Sequence, residues 1–118
     1  MNTKSAKAKG RRLQQEVRDI LRDFGNKYNL QPTDIESRGM GQAGEDVILS
    51  PAALARFPLY IECKNKERIN IAEEYDKLVN KEAVSYFPVL VHSKNRGETL
   101  VTIDARAFFI MFDEWYNK

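Results

Sequence analysis

Three side chains on two neighbouring segments of this chain could together hydrolyse a phosphodiester bond. Asp46 precedes an apolar run, and Glu62 and Lys64 close the next apolar run, which begins at Phe57. Carboxylate oxygens are the ligands that Mg²⁺ and Mn²⁺ prefer. Such a cation lowers the pKa of a bound water and polarises a phosphate, while an ammonium group offsets transition-state charge. The residue types therefore predict a Mg²⁺ site at Asp46 and Glu62, with Mn²⁺ as a substitute.

The spacing of Glu62 and Lys64 suits a β-strand. Alternate side chains of a strand share a face, which puts these two on one side, ~6–7 Å apart. Cys63 then points to the other face as a buried apolar residue, and its backbone carbonyl could add a third oxygen to the metal site. The alternative interpretation is a salt bridge across one face of an edge strand.

Asp46 followed by Glu62-x-Lys64 on the next strand resembles the PD-(D/E)XK nuclease motif. The glycine-rich stretch 36–46 and an early helix carrying Glu16 narrow the likeness to archaeal-type Holliday-junction resolvases and their small phage relatives. The likeness runs from about Gly10 to Asn65 and becomes vague afterwards. One departure is Glu45, which stands where the family often has proline, a residue that binds no metal.

The resemblance implies a restriction-endonuclease-like α/β fold and an intracellular enzyme of a prokaryote or a phage-infected cell. It also implies a homodimer that cleaves four-way DNA junctions with Mg²⁺. The matching helix glutamate of the family serves the metal, which adds Glu16 to the expected catalytic set of Asp46, Glu62 and Lys64. Two alternatives stay open: another nicking or branched-DNA nuclease, and a DNA-binding module without catalysis.

Helical spacing alone allows two interpretations of Glu16. It flanks the apolar stripe of the first helix, so it could look along the sheet toward a metal. It also lies one turn after Arg12, with which it could form a surface ion pair.

Basic and polar side chains near the motif are candidates for contacts with DNA phosphates. Several precede the first acidic residue, and others flank the glycine loop or follow predicted strands. The predicted DNA contacts are Lys9, Arg11, Arg12, Ser37, Arg38, Gln42, Lys66, Lys94 and Arg96. The alternative for residues 1–9 is a solvated, disordered basic tail.

The elements that must position these residues follow from periodicity. Apolar residues recur at helical spacing between Arg11 and Gly25, and capping residues Asn70 and Asp104 each predict a further helix. Predicted strands cover 35–38, 46–49, 59–64, 88–92 and 99–103, and Pro51 is expected to end the second of them. The order αβββαββα indicates a mixed β-sheet flanked by helices, with a flexible basic tail at 1–9 and one nuclease domain at 10–118.

Composition is that of an ordinary globular chain. The 118 residues are 42% hydrophobic and 31% charged, and the net charge of +2 does not by itself predict nucleic-acid binding. A single cysteine excludes an internal disulfide, and no apolar run approaches the ~20 residues of a membrane span. Aromatic residues at helical spacing near the C-terminus predict core or dimer packing, with base stacking as the alternative.

Overall fold

A five-stranded mixed sheet organises the computed structural model, which describes residues 3–39, 44–80 and 86–118. Its strands lie side by side in chain order, and only β3 and β4 are parallel to each other. The strands are β1 (Ile35–Ser37), β2 (Val47–Leu49), β3 (Leu59–Asn65), β4 (Phe87–Ser93) and β5 (Leu100–Thr102).

Helices cover this sheet, so the predicted α/β class with a mixed sheet flanked by helices is confirmed. The helices are α1 (Thr3–Gly25), α2 (Pro51–Arg56), α3 (Ile71–Val79) and α4 (Ala105–Tyr116), with 3₁₀ turns at Asn26–Tyr28 and Pro32–Asp34. The observed order differs from the predicted one by the short helix α2 between β2 and β3.

Helix α1 covers one face of the sheet and forms the main core with it. Leu13 and Val17 of α1 are buried against Ile61 and Cys63 of β3. The burial of Ile61 and Cys63 on this face leaves Glu62 and Lys64 on the other, as the strand alternation predicts. The core also takes in Ile35, Val47, Leu49, Ala53, Val89 and Val91.

Helix α3 packs on the opposite face, above β4. Its Leu78 is buried, as is Leu90 of β4. Tyr75 connects α3 to β4 and to the start of α4. Its hydroxyl donates to the carbonyl of Pro88 at 3.2 Å and accepts from the backbone N–H of Asp104 at 2.9 Å. The helix thus brings its own side chains over the face that carries Glu62 and Lys64.

The largest differences from the predicted elements are the start of α1 and the missed helix α2. Helix α1 begins at Thr3 and not at Arg11, so the backbone of the predicted basic tail is helical from residue 3 onward. Its predicted mobility stays a prediction. Helix α2 follows Ser50, whose hydroxyl accepts from the backbone N–H of Ala53, and it starts at Pro51, which was expected only to end a strand.

Candidate functional site

Asp46 is fixed where strands β2 and β3 begin to separate. Its backbone N–H donates to the carbonyl of Ile61 at 2.9 Å. Its Oδ2 accepts from the backbone N–H of Cys63 at 2.7 Å. The carboxylate therefore takes the place of a strand partner and is held directly beside β3, next to Glu62.

The segment that leads to Asp46 is held by Arg38. Its guanidinium donates to the Glu45 carbonyl at 2.7 Å and lies 3.4 Å from the Glu45 carboxylate. Gly44 has a φ of +107°, and a Cβ there would lie 3.0 Å from the same guanidinium, so this position requires glycine. Glu45, the departure from the family pattern, thus has a structural partner in Arg38.

Glu62 and Lys64 lie on the face that α3 covers, level with Leu90 and His92 of β4. Both are half-buried and line a cavity of 100 Å³ between β3 and α3. The predicted placement of an acid and a base on one face of a strand is confirmed.

A residue that the sequence analysis missed lines the same cavity. Glu74 of α3 has a side chain only 13% exposed, and its carboxylate lies 3.8 Å from the Lys64 ammonium and 3.7 Å from those of Lys66 and Lys77. The available signal was helical spacing, because Glu74 lies one turn before Leu78 and so shares its inward-facing stripe.

Glu16 lies on α1, on the other side of the sheet from Glu62. Its Oε1 accepts from the hydroxyl of Thr99 at 3.0 Å, so the structure gives it a partner other than the expected Arg12. It is exposed, and its side chain also lines a cavity of 280 Å³ between α1 and the sheet. Its predicted role toward a metal stays a prediction.

Cys63 is buried on β3, and its backbone N–H donates to the Asp46 carboxylate. Burial raises the pKa of the Cys63 thiol, and the negative charges of Asp46, Glu62 and Glu16 raise it further. Within residues 3–39, 44–80 and 86–118, however, no group of three or more His, Cys, Asp and Glu side chains is placed to hold a metal ion.

The donor chemistry nevertheless suits Mg²⁺, which usually binds to one or two protein carboxylates and takes its other ligands from water and substrate phosphate. Among the described residues, two further oxygens are buried without a hydrogen-bond partner, Gln14 Oε1 and Asn65 Oδ1. Asn65 alternates with Ile61 and Cys63 onto the side of β3 that faces α1. Asp46 and Glu62 are the carboxylates that could hold such a cation.

The high pKa of Cys63 gives a test of this packing. A thiol reacts as the thiolate, so we expect a disulfide reagent at pH 8 to modify native Cys63 on the order of a hundredfold more slowly than unfolded protein. The chain has one cysteine, so no other thiol competes. Equal rates before and after unfolding in guanidinium would contradict the buried placement.

Two of the predicted DNA contacts lie close together, although they come from distant parts of the chain. Lys9 of α1 and Arg96 in the β4–β5 turn line one open cavity of 580 Å³. Arg11, Arg12, Lys66 and Lys94 are exposed, Ser37 and Arg38 are half-buried, and Gln42 lies outside the described residues. His92 is buried, and its Nε2 lies 2.8 Å from Thr102 Oγ1.

Comparison with protein-family models, with curated proteins and with solved structures returned no match for this chain. No helix in the part of the chain that the structure describes is long and apolar enough to cross a membrane. The functional interpretation therefore rests on the residues and their geometry.

Proposed function

We propose that this chain is a metal-dependent, structure-specific DNA endonuclease with a restriction-endonuclease-like fold, and that four-way junctions are its substrate. One observation carries the proposal. The Asp46 carboxylate accepts a 2.7 Å hydrogen bond from the backbone N–H of Cys63. Cys63 itself lies between Glu62 and Lys64 on β3. A carboxylate fixed beside an acid and a lysine on one strand suits phosphodiester hydrolysis better than pure binding.

Each residue has a separate task in this reaction. Asp46 and Glu62 would hold Mg²⁺, which supplies an activated water and polarises the phosphate. Lys64 orients that water and offsets the charge that develops on the phosphate oxygens. The water oxygen bonds to phosphorus, one P–O ester bond breaks, and the water proton passes to solvent or to the leaving oxygen. Glu16, which lies on the α1 side of the sheet and accepts from Thr99, is given no part in this step.

A non-catalytic DNA-binding module is the second candidate. The hydrogen bond from the Thr99 hydroxyl to Glu16 favours this candidate, because it gives the exposed Glu16 carboxylate a partner at the surface. Cleavage of labelled duplex, flap, fork and four-way junction, each with Mg²⁺ or EDTA, separates the candidates. We expect the protein to nick the four-way junction when Mg²⁺ is present and not when EDTA is present. Binding of all four DNAs without nicking would favour the module, and preferential nicking of flap or fork would favour another branched-DNA nuclease.

The basic surface at the start of α1 gives a test of DNA affinity. Because residues 3–9 are helical, substitution tests their charge better than deletion. We expect Lys7→Gln and Lys9→Gln each to weaken binding to every DNA shape. The salt slope of log K should fall by about 0.9 for each phosphate that the variant no longer neutralises.

The matched control is Lys27→Gln, an exposed lysine just beyond the other end of α1. Its salt slope should equal that of the parent. An unchanged slope in the Lys7 and Lys9 variants would instead show that these charges do not contact DNA.

We also propose that the working unit is a symmetric homodimer, because a four-way junction offers equivalent strands and a two-fold dimer would present a site to each. Helix α4 supplies the interface in this proposal. Trp115 and Phe109 are each 66% exposed, and aromatic rings pack against one another along the helix. Large exposed apolar surfaces of this kind are typical of association sites.

Sedimentation at micromolar concentration tests the dimer. We expect a dimeric parent mass and a monomeric mass for Trp115→Ala and Phe109→Ser. Phe24→Ser is the matched control, since Phe24 is a similarly exposed aromatic residue on α1. A monomeric parent, free and bound to a junction, would refute the dimer. Dimeric α4 variants would refute only this interface.

A further inference from the structure

A cavity of 460 Å³ lies beyond the carboxyl ends of the parallel strands β3 and β4. The volume lies within the range of small-molecule sites, about 300–1,000 Å³. We call it the Leu100 cavity, and the residues that matter below are Lys66, Arg68, Ile69, His92, Lys94 and Leu100.

The lining of the Leu100 cavity combines apolar walls with a cationic rim. Ile69 and Leu100 supply aliphatic surface, against which the face of a nucleobase can pack. Among the described lining residues, the three cations Lys66, Arg68 and Lys94 outnumber the two acids, Glu67 and Glu98. Glu67 is also engaged, because its Oε2 accepts from the backbone N–H of Asn95 at 3.0 Å. The rim therefore favours an anion.

His92 adds a polar group to the cavity wall without a charge. Burial lowers the pKa of its imidazole, which favours the neutral form of the ring. One ring nitrogen is hydrogen-bonded to the hydroxyl of Thr102 at 2.8 Å, which fixes the ring in place. A fixed neutral imidazole can contact the polar edge of a base without competing for the phosphate.

The cavity adjoins the proposed catalytic face. Lys64, His92 and Leu100 are level with one another on β3, β4 and β5, so they form one row across the sheet. Adjacent strands lie about 4.8 Å apart, so the cavity begins about one strand spacing from Lys64. Lys66 of the rim and Lys64 contact the two oxygens of the same Glu74 carboxylate. A DNA strand with a phosphate at Lys64 would therefore pass directly beside the cavity.

We propose that the Leu100 cavity binds one unpaired nucleotide of the DNA substrate, with its base against Ile69 and Leu100 and its phosphate at Lys66 and Lys94. A base within a duplex cannot enter such a concave site, so the cavity selects for a nucleotide that a branch point or nick leaves unstacked. This inference rests on the proposed function for the identity of the ligand, and it names the feature of branched DNA that the chain recognises.

The probes are thymidine 5′-monophosphate, thymidine and inorganic phosphate, titrated separately against the full chain and followed by amide NMR shifts. We expect the monophosphate to shift the signals of Ile69, Lys94 and Leu100 and to bind at least tenfold more tightly than either fragment. Leu100→Trp fills the cavity and Arg68→Glu reverses a rim charge, so each should weaken binding at least tenfold. Leu100 is 52% exposed, so the fold tolerates the larger side chain.

Val101→Trp is the matched control, because Val101 is also exposed but points to the α1 side of β5. It should bind the monophosphate like the parent. Equal affinity for the monophosphate in the parent and both cavity variants, or shifts confined to other residues, would overturn the inference. Phosphate alone binding as tightly as the monophosphate would also overturn it, because the apolar walls would then contribute nothing.

The NMR test contains no metal and no cleavage step, so its outcome is independent of the nuclease assay. Junction cleavage by the parent without monophosphate binding would refute the cavity and leave the proposed function standing. Monophosphate binding by a parent that cleaves no DNA would support the cavity and refute the nuclease.

Discussion

Asp46→Asn and Glu62→Gln are each expected to reduce junction cleavage at least about a hundredfold while DNA affinity changes little. Loss of even an outer partner of a metal ligand typically costs 10–100-fold, and these two carboxylates would hold the metal themselves. Affinity comes mainly from phosphate contacts elsewhere, so it should persist. The measurements are single-turnover cleavage at saturating Mg²⁺ and fluorescence anisotropy with a labelled junction.

The amide substitutions keep the local structure intact. The side-chain oxygen of an asparagine at position 46 can still accept from the Cys63 backbone N–H, which now bonds Asp46 Oδ2. Glu36→Gln is the matched control, an exposed glutamate on β1 that the proposal gives no role. If Asp46→Asn cleaves the junction as fast as Glu36→Gln, the proposed metal site is wrong. The same holds if Glu62→Gln cleaves it as fast as the parent.

The sequence predicted those parts of the fold that depend on neighbours along the chain. Alternation gave the strand around Glu62 and Lys64 and the burial of Cys63, because a strand has a fixed side-chain period. The start of α1 was predicted too late, since residues 3–10 lack an apolar stripe and their helix rests on good helix formers such as Ala6, Ala8 and the lysines.

Helix α2 could have been predicted. Ser50, then proline, then an alanine-rich run is a typical helix start, but only the strand-ending property of Pro51 was considered. Without α2, the connection between β2 and β3 was not predicted, although both strands were.

The partners of the site residues could not be predicted, because they depend on which elements are adjacent in the sheet. Glu16 and Thr99 are 83 positions apart, and their hydrogen bond exists only because the fold brings α1 close to the residue before β5. Arg38 was expected to meet DNA, yet its guanidinium bonds Glu45. The lysines around Glu74 come from β3, from the loop after it and from α3. Helical spacing shows that Glu74 faces inward, but it does not show which lysines it meets.

Glu74 also decides how Lys64 can be tested. Lys64→Ala is expected to lower the single-turnover rate about 10²–10³-fold, the usual cost of removing one group that stabilises transition-state charge. Metal affinity should stay near that of the parent, because lysine is not a ligand. Glu74→Gln should lower the rate about tenfold, because it frees the Lys64 ammonium from the carboxylate 3.8 Å away.

A double-mutant cycle separates positioning from independent action. If Glu74 works through Lys64, the variant Lys64→Ala with Glu74→Gln should be no slower than Lys64→Ala alone. Lys77→Ala is the control, since it contacts the same carboxylate from a side chain 63% exposed and should cleave like the parent. If the rate losses of the two single variants multiply in the double variant, Glu74 acts without Lys64. A parent rate for Lys64→Ala would leave Lys64 as the salt-bridge partner of Glu74, with no part in catalysis.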